Sequence, residues 1–237
     1  MDTPTLILDA DDTLWENNVF YEEATDTFIE LMVQEGFDHT EARQTLTHVE
    51  HDRIPTVGYS PHEFVRSLAI AYHRLCKRHK REAHPQVESR VSAIGQQVVE
   101  YPITLLEGVA ETLPSLRQHC QLILLTKGDH QTQHSKVERS GLAPYFETIH
   151  VVAEKGADVL QDLMARHDLD RARTWMVGNS PRSDINPALE VGIGAIYIPY
   201  AKPWDYEQVP IADPDRVVTL RSFSDLADLF PEPEKTE

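Results

Sequence analysis

Short, mostly apolar runs recur along this chain with the length expected of buried β-strands. They occupy Thr5–Leu8 and residues 122–125, 149–152, 174–177 and 195–198. From residue 108 onward the runs alternate with segments that predict helices at about 109–119, 135–140, 155–167 and 183–191. Because strands that alternate with helices usually form a parallel sheet, the pattern predicts an α/β, Rossmann-like fold with helices on both faces of the sheet.

The stretch from residue 16 to residue 100 breaks this alternation, because it has helical periodicity and no clear strand. Its apolar positions predict one helix over residues 19–32 and two more that begin at Pro61 and Pro85. Ser60 and Glu63 form a capping-box pattern around Pro61. We therefore predict a helical domain over residues 16–100, inserted into an α/β core made of residues 1–15 and 101–237.

The charge balance restricts the partners of this chain. With 22 Lys and Arg against 39 Asp and Glu, the formal net charge is -17, so no general positive field favours a nucleic acid. No basic region or long apolar run follows Met1, so neither export nor membrane insertion is expected. Cys76 and Cys120 lie far apart, without the spacing of a zinc site or a disulfide framework. We expect a cytoplasmic monomer or homodimer with no nucleic-acid or membrane partner.

Acidic residues follow the first predicted strand directly, as Asp9, Asp11 and Asp12. A carboxylate there can attack a phosphoryl group and form an aspartyl phosphate, which divides hydrolysis into two easier steps. A second carboxyl group two residues later can protonate the leaving oxygen and then activate water. Since a carboxylate and a phosphate repel each other, a cation such as Mg²⁺ is needed between them. The pattern favours Asp9 as nucleophile and Asp11 as general acid and base. A turn stabilised by hydrogen-bonding aspartates is the alternative.

The ends of the later strands carry further groups suited to phosphate. Thr126 can bind a phosphate oxygen through its hydroxyl, and the amides of Lys127 and Gly128 can form a small anion nest. Lys155 can neutralise both the nucleophile and the transferring phosphoryl group, and Asp184 can reach the same cation. Each residue alone has an ordinary explanation, such as an acid at a helix N-terminus for Asp184. It is their order along the chain that matters.

This order resembles that of the haloacid dehalogenase superfamily, and the resemblance covers nearly the whole chain. The first motif of the superfamily matches residues 6–14, and the second matches the apolar strand that ends in Thr126. The third motif matches Lys155, and the fourth matches residues 178–184. The helical insertion directly after the first motif is similar to the superfamily's cap, which closes over small substrates. The ordered set of motifs is more specific than any one of them.

The resemblance implies a role for each matching residue. Asp9 would be the nucleophile and Asp11 the general acid and base, while Thr126 and Lys155 would hold the phosphate. Mg²⁺ would be bound by Asp9, the backbone carbonyl of Asp11 and Asp184. The expected function is magnesium-dependent hydrolysis of a small phosphorylated metabolite. Phosphoglycolate, sugar phosphates and nucleoside monophosphates are all handled by similar capped enzymes, so the substrate itself stays open.

One residue departs from the superfamily pattern, and the activity has alternatives. Many members have aspartate where this chain has Asn179, and an amide there removes a negative charge beside the cation and predicts weaker metal binding.

A 2-haloacid dehalogenase of the same superfamily lacks an acid at the position of Asp11, so Asp11 favours phosphoryl transfer. A phosphomutase and a catalytically silent phosphate-binding regulator stay open.

Two further segments have more than one interpretation. The basic run from Lys77 to Arg81 is more typical of cations at a helix C-terminus than of an RNA-binding patch, and an anion-attracting rim on the cap is a third possibility. Residues 15–18 follow the first motif and either contact the substrate or pack the hinge of the inserted domain.

Overall fold

The computed structural model describes residues 3–58 and 60–232. Contacts divide the chain into two compact units, one with the chain up to Asn18 and again from Ile103, the other Val19–Pro102. No helix in the described part of the chain is both long and apolar enough to span a membrane. In chain order the helices are α1 (Asn18–Gln34), α2 (His39–Val57), α3 (Pro61–Arg78), α4 (Pro85–Glu100), α5 (Val109–Leu116), α6 (His130–Ser140), α7 (Ala157–Arg166), α8 (Asn186–Val191) and α9 (Leu226–Leu229).

The first unit is built on a six-stranded sheet with the order β3-β2-β1-β4-β5-β6. All neighbouring strands pair in parallel, and Leu6 of the central strand lies between Leu122 and Trp175. This confirms the predicted parallel α/β sheet, although the sequence did not predict the three-residue edge strand β6. The strands are β1 (Thr5–Leu8), β2 (Gln121–Lys127), β3 (Thr148–Val152), β4 (Thr174–Gly178), β5 (Gly194–Tyr197) and β6 (Val217–Thr219).

Side chains of β1 alternate between two apolar clusters, one for each face of the sheet. Leu6 and Leu8 belong to a cluster that includes Leu113 of α5 and side chains of α6 and α9. Ile7 belongs to the other cluster, with Leu160 of α7 and side chains of α8. All four residues of β1 are buried, and a fully buried Leu or Ile contributes about 1.5–3 kcal/mol. The sheet therefore anchors β1 firmly, and with it the residue that follows.

The strand order reverses between β1 and β4, because β2 and β3 lie on one side of this pair and β5 and β6 on the other. At such a point the loops after the strands diverge and leave a crevice at the carboxyl ends, which is where open α/β sheets bind ligands. The Asp9 amide donates to the Val177 carbonyl at 2.9 Å, which continues the β1–β4 ladder by one residue. The fold thus places Asp9 at the reversal point.

The second unit contains α1 to α4 up to Pro102. The Ser60 hydroxyl accepts a hydrogen bond from the Glu63 amide at 3.1 Å, so Ser60 caps α3 as predicted. The Glu63 carboxylate does not complete the capping box, because it pairs with Arg53 and Arg66. Proline inside α2, at Pro55, interrupts the sequence pattern of that helix, and α2 was not predicted as a separate element.

A close approach of two helices and a set of polar contacts describe how this unit packs. A Cβ atom on Gly95 of α4 would lie 2.8 Å from Cγ2 of Val65 in α3, so glycine permits the close approach of these two helices. In the basic run, Arg78 and His79 pair with Glu41 at 3.0 and 2.8 Å, and Arg81 donates to the carbonyl of Glu35. The basic run therefore ties the end of α3 to the preceding helices.

Candidate active site

The chain turns sharply after β1 and brings its three acids into different surroundings. The Leu14 amide donates to the Ala10 carbonyl at 2.8 Å, which closes the turn. Asp12 has a φ of 60°, in the left-handed region that Asp adopts more readily than most residues. Its carboxylate accepts from the amides of Asn17 and Asn18 at 2.8 and 2.9 Å. Asp12 thus stabilises the path of the loop, as a turn aspartate would.

Burial raises the pKa of Asp12 to about 7, and Asp11 adds to this effect, while the two backbone amides oppose it. The Asp12 side chain therefore takes part in an internal hydrogen-bond network and is largely withdrawn from solvent. Its environment differs from those of Asp9 and Asp11, each of which faces a lysine.

Asp9 lies in a buried ionic cluster. Lys155 Nζ donates to Asp9 Oδ1 at 2.5 Å and to Asp184 Oδ1 at 2.6 Å. The Thr13 hydroxyl donates to the other carboxylate oxygen of Asp9 at 2.8 Å. Asp9, Lys155 and Asp184 are exposed by only 5%, 6% and 0%, so their charges interact in an environment of low polarity. Three residues that are far apart in the sequence meet in this cluster.

The charges in this cluster do not balance. Burial disfavours the ammonium charge of Lys155, but Asp184 and Asp9 outweigh burial and hold its pKa above the usual value. Two carboxylates share this one ammonium group, and burial, assisted by Asp9, raises the pKa of Asp184 to about 7 in spite of Lys155. The cluster thus has an excess of negative charge, which an additional cation would neutralise.

The donor set suits a cation that prefers oxygen ligands. Among residues 3–58 and 60–232, no three His, Cys, Asp or Glu side chains are grouped closely enough to hold a metal ion by themselves. Asp9 and Asp184 supply two carboxylates, and a backbone carbonyl such as that of Asp11 would be a further oxygen. Carboxylates and carbonyls are ligands that Mg²⁺ accepts readily. The residues present therefore fit Mg²⁺ and do not suit a metal that needs sulfur or imidazole.

Asp184 is held in place by the loop after β4. It lies in a π-helical turn, Pro181–Ile185, and its Oδ2 accepts from the Ser180 amide at 3.0 Å. A Cβ atom on Gly178 would lie 2.2 Å from the same oxygen, so only glycine leaves room for the carboxylate. Asn179 Oδ1 lies 3.4 Å from the Thr13 hydroxyl. Asn179, the residue that differs from the superfamily pattern, therefore lies next to a hydrogen-bond partner of Asp9.

Lys127 supports this loop through a buried network. Its Nζ donates to Glu207 Oε1 at 2.5 Å and to the Ser183 hydroxyl at 3.0 Å. Glu207 also accepts from the Ser180 hydroxyl at 2.5 Å. Burial opposes the charge of Glu207, but Lys127 and the hydroxyl donors hold its pKa below the usual value. Sequence patterns did not single out Glu207, because it lies in an irregular segment after β5.

The anion nest predicted at Lys127 and Gly128 loses one of its donors. The Gly128 amide donates to the Val152 carbonyl at 2.9 Å, so the β2–β3 ladder uses this group. Thr126, in contrast, is linked to Asp11 through Gln133. The Gln133 Nε2 donates to Thr126 Oγ1 at 2.5 Å and to Asp11 Oδ2 at 3.1 Å. Of the second-motif groups, the Thr126 hydroxyl is connected to the site.

In the described part of the chain, Asp11 has three side-chain donors around it, and of these the sequence patterns singled out only Trp15, as one of residues 15–18. Lys136 Nζ donates to its Oδ1 at 3.0 Å and to its Oδ2 at 2.9 Å. Trp15 Nε1 donates to Oδ1 at 2.7 Å, and Gln133 supplies the contact to Oδ2 described above. Gln133 and Lys136 are buried polar residues three positions apart in α6. A helix pattern starting at the Asp129 cap would have placed them on one face.

Comparisons with known proteins identify the family and the fold that this chain shares. The family model of haloacid dehalogenase-like hydrolases matches residues 3–192. A solved haloacid dehalogenase-like hydrolase from Xanthomonas campestris superposes with a TM-score of 0.81 at 28% identity, over 97% of this chain and 95% of that chain.

Curated relatives include phosphatases. N-acylneuraminate-9-phosphatase of Rattus norvegicus is 34% identical over 98 residues, which is 39% of this chain and 40% of that protein. The matched part thus spans about two fifths of that relative's length. Glyceraldehyde 3-phosphate phosphatase of Methanocaldococcus jannaschii is 23% identical over 94% of this chain and 95% of its own.

The family match covers most of the 237 residues, and it begins before Asp9 and extends beyond Asp184. It confirms the resemblance inferred from the four sequence motifs. The chain belongs to the haloacid dehalogenase-like hydrolase family.

Proposed function

We propose that this protein is a Mg²⁺-dependent phosphohydrolase that cleaves small phosphomonoesters through an aspartyl phosphate on Asp9. The observation that carries the proposal is the buried cluster of Asp9, Lys155 and Asp184 at the carboxyl edge of the sheet, with Asp11 two residues from Asp9. Two relatives with phosphatase in their names support the same chemistry, N-acylneuraminate-9-phosphatase and glyceraldehyde 3-phosphate phosphatase.

The first step transfers the phosphoryl group to Asp9. A carboxylate oxygen of Asp9 attacks phosphorus, the bond between phosphorus and the ester oxygen breaks, and Asp11 in its acid form gives its proton to the leaving oxygen. In the second step Asp11 takes a proton from water, the water oxygen attacks phosphorus, and the bond to Asp9 breaks. Inorganic phosphate leaves, and both acids return to their starting forms.

Two other side chains have roles in this scheme. Lys155 opposes the negative charge of Asp9 and of the phosphoryl oxygens, and its burial strengthens this interaction relative to one in water. The Thr126 hydroxyl accepts from Gln133 and can donate its own proton to a phosphoryl oxygen. Together they hold the phosphoryl group beside Asp9.

Asp9, Asp184 and the Asp11 carbonyl are the groups proposed to hold Mg²⁺. The bound cation would reduce the repulsion between a carboxylate nucleophile and a phosphate and would stabilise charge on the phosphoryl oxygens. Asp184 is available for this role because Gly178 and the Ser180 amide fix its position.

Phosphate transfer is favoured over dehalogenation by Asp11. A halide leaves without protonation, so a dehalogenase has no use for an acid at that position, whereas an alkoxide leaving group requires one. The role of residues 16–100 as a cap that restricts the substrate to small soluble phosphoesters stays a prediction, and under it intact phosphoproteins are poor substrates.

Phosphate release from a panel of phosphorylated metabolites tests the proposal. Sugar phosphates, phosphoglycolate, nucleoside monophosphates and a phosphopeptide are each incubated with the protein and Mg²⁺, and inorganic phosphate is measured. We expect release from at least one small ester, and none from the same ester with Asp9→Asn. A folded wild-type protein that releases phosphate from no member of the panel, or an active Asp9→Asn variant, would overturn the proposal.

A further inference from the structure

The hydrogen bonds around Asp11 leave little freedom to its side chain. Trp15 and Lys136 donate to Oδ1, while Gln133 and Lys136 donate to Oδ2. A carboxylate offers about four lone-pair sites, so these four contacts match its full capacity. The carboxylate plane of Asp11 is therefore fixed by donors from two different segments, the loop after β1 and helix α6.

Lys136 is the principal member of this group of donors. Its side chain is only 3% exposed, against 22% for Asp11, and it also donates to Asn17 Oδ1 at 2.8 Å. A buried ammonium group is costly unless charged or polar acceptors surround it. Since three acceptor oxygens from the loop after β1 lie within 3.0 Å of Nζ, the cation holds that loop to α6 at the position of Asp11.

The location of Lys136 on a helix makes this arrangement precise. Val137, the next residue of α6, packs into the apolar cluster that also contains Leu8 and Leu124. The register of α6 is thereby fixed against the sheet, and a polar group on a packed helix is placed more accurately than one on a loop. The sheet that anchors Asp9 thus also anchors, through α6, the group that orients Asp11.

We propose that Lys136 is a positioning residue that orients the Asp11 carboxyl group for proton transfer to the leaving oxygen and from water. The inference rests on the proposed function. Lys136 acts through Asp11 and not on phosphorus. During the first step one donor releases the Asp11 oxygen that carries the proton, while the remaining contacts hold the group in its plane. The proton then passes from Asp11 to the ester oxygen as the bond between that oxygen and phosphorus breaks.

This role differs from that of Lys155 in a measurable way. Lys155 contacts Asp9 and Asp184, so its loss weakens phosphoryl transfer from any ester. Lys136 contacts Asp11, so its loss weakens only the steps in which Asp11 moves a proton. An alkyl phosphate needs that proton because an alkoxide is a poor leaving group, whereas 2,4-dinitrophenyl phosphate does not because its phenolate is stable.

The test compares Lys136→Met with wild type on an alkyl phosphate and on 2,4-dinitrophenyl phosphate. The alkyl ester is one that the wild-type protein hydrolyses. The ratio kcat/KM reports the steps up to phosphoryl transfer to Asp9. We expect a loss of about 10²-fold for the alkyl ester, within the range for general acid catalysis. The loss for the dinitrophenyl ester should stay below about fivefold by the same reasoning.

Three controls separate positioning from folding and from phosphate binding. Arg139→Met removes an exposed cation from the same helix and should leave both rates unchanged. Lys155→Met should lower both rates together. Lys136→Arg keeps the cation and its donors, so it should recover part of the activity on the alkyl ester. Thermal unfolding of each variant checks that the fold is retained.

A double-mutant cycle supplies a second measurement that does not depend on the leaving group. If Lys136 acts through Asp11, then Lys136→Met should cause no further loss on the alkyl ester in the Asp11→Asn background. Equal losses on the two esters, or additive losses in the cycle, would overturn the inference and leave the proposed function standing. A wild-type protein that hydrolyses neither ester would remove the proposed function and this inference together.

Discussion

Two buried lysines face two aspartates that are only two residues apart, yet the surroundings of the pairs differ. Lys155 holds Asp9 together with a second carboxylate, Asp184, and the loops after three separate strands meet there. Lys136 pairs with Asp11, which also accepts from the Trp15 indole and the Gln133 amide. One cluster has excess negative charge, whereas the other pairs one carboxylate with one ammonium group.

Under the proposed function, this difference explains how neighbouring identical side chains would take separate tasks. The excess negative charge around Asp9 favours binding of a cation, and the cation would in turn attract an anionic substrate. These surroundings suit the proposed role of Asp9 as nucleophile. The Asp11–Lys136 pair is balanced in charge and has no such need, and Lys136 with Trp15 and Gln133 fixes the orientation of the Asp11 carboxyl group. Sequence spacing alone brings the two acids to one loop. Under the proposed function, the helices and loops around them are what assign metal binding to Asp9 and proton transfer to Asp11.

The largest expected effect comes from replacing Asp9, the proposed nucleophile. Asp9→Asn should reduce turnover by about 10⁴-fold or more, because no carboxylate is left to attack phosphorus. Asp11→Asn should cost about 10²–10⁴-fold on an alkyl ester, as expected for the loss of a general acid. Both rates are measured by phosphate release, with thermal unfolding as a control. If Asp9→Asn retains more activity than Asp11→Asn, the two roles are assigned the wrong way round.

Removal of metal should cause the next largest loss of turnover, through the cluster around Asp9. A chelator should lower turnover by at least about 10²-fold, and Mg²⁺ should restore it, because charge stabilisation by the cation contributes several kcal/mol. Ca²⁺, which prefers longer bonds and more ligands, should support little activity. Asn179→Asp adds a carboxylate near Thr13 and should lower the Mg²⁺ concentration needed for half-maximal rate. Full activity in metal-free protein would show that the cluster around Lys155 works without a metal.

Asp12 provides a smaller effect within the same loop. Asp12→Asn keeps an oxygen that can accept from the amides of Asn17 and Asn18, and asparagine tolerates the left-handed backbone. We therefore expect activity within about tenfold of wild type, since the change touches neither proposed catalytic acid directly. A loss as large as that of Asp9→Asn would show that Asp12 takes part in catalysis and would contradict its assignment as a structural residue of the loop.

The smallest expected effect is on stability and concerns Glu50 of α2. Asp9 and Asp11 each face a lysine, whereas the pKa of Glu50 is raised by burial and by a neighbouring acid. Burial, with a contribution from Glu22, raises the pKa of Glu50 from 4.5 to about 7. Because the folded state resists ionisation of Glu50, wild-type stability falls as pH rises from about 4.5 through 7. Glu50→Gln has no such loss and should be more stable by about 1–3 kcal/mol at pH 8.

Denaturant unfolding of wild type and Glu50→Gln at pH 5 and pH 8 checks this prediction. The difference in unfolding free energy should shrink at pH 5, where the wild-type group is largely protonated in the fold. A difference that does not change with pH would show that Glu50 ionises as easily in the folded protein as in the unfolded chain.

Much of the fold could be predicted because its strands are continuous apolar runs. β1 to β5 and most of the helices that cover them follow from those runs and from the spacing between them. β6 was missed because three residues at a sheet edge give too short a pattern. α2 was missed because most of its side chains are polar or charged and Pro55 interrupts it. Short edge strands and polar helices are stabilised by contacts that a local pattern does not contain.

The candidate site was predictable to the extent that its residues end strands. Asp9, Thr126 and Asp184 follow or end parallel strands, so their proximity follows from the topology. Gln133 and Lys136 were missed because the first seven residues of α6 contain no apolar side chain, and the apolar pattern predicts a helix only from residue 135. In their buried positions both side chains donate to Asp11, a partner more than 120 residues away, and a local sequence pattern cannot predict that contact.

Capture of the phosphoryl group on Asp9 tests the central claim most directly. Asp11→Asn lacks the base for the water step, whereas 2,4-dinitrophenyl phosphate needs no proton to leave, so the aspartyl phosphate should accumulate. The reaction is quenched with acid and reduced with borohydride, and the peptides are examined by mass spectrometry, with Asp9→Asn/Asp11→Asn as control. The account predicts conversion of Asp9 to homoserine in the single variant and in no peptide of the control. Release of dinitrophenolate with no modification at Asp9, or with modification of another residue, would contradict it.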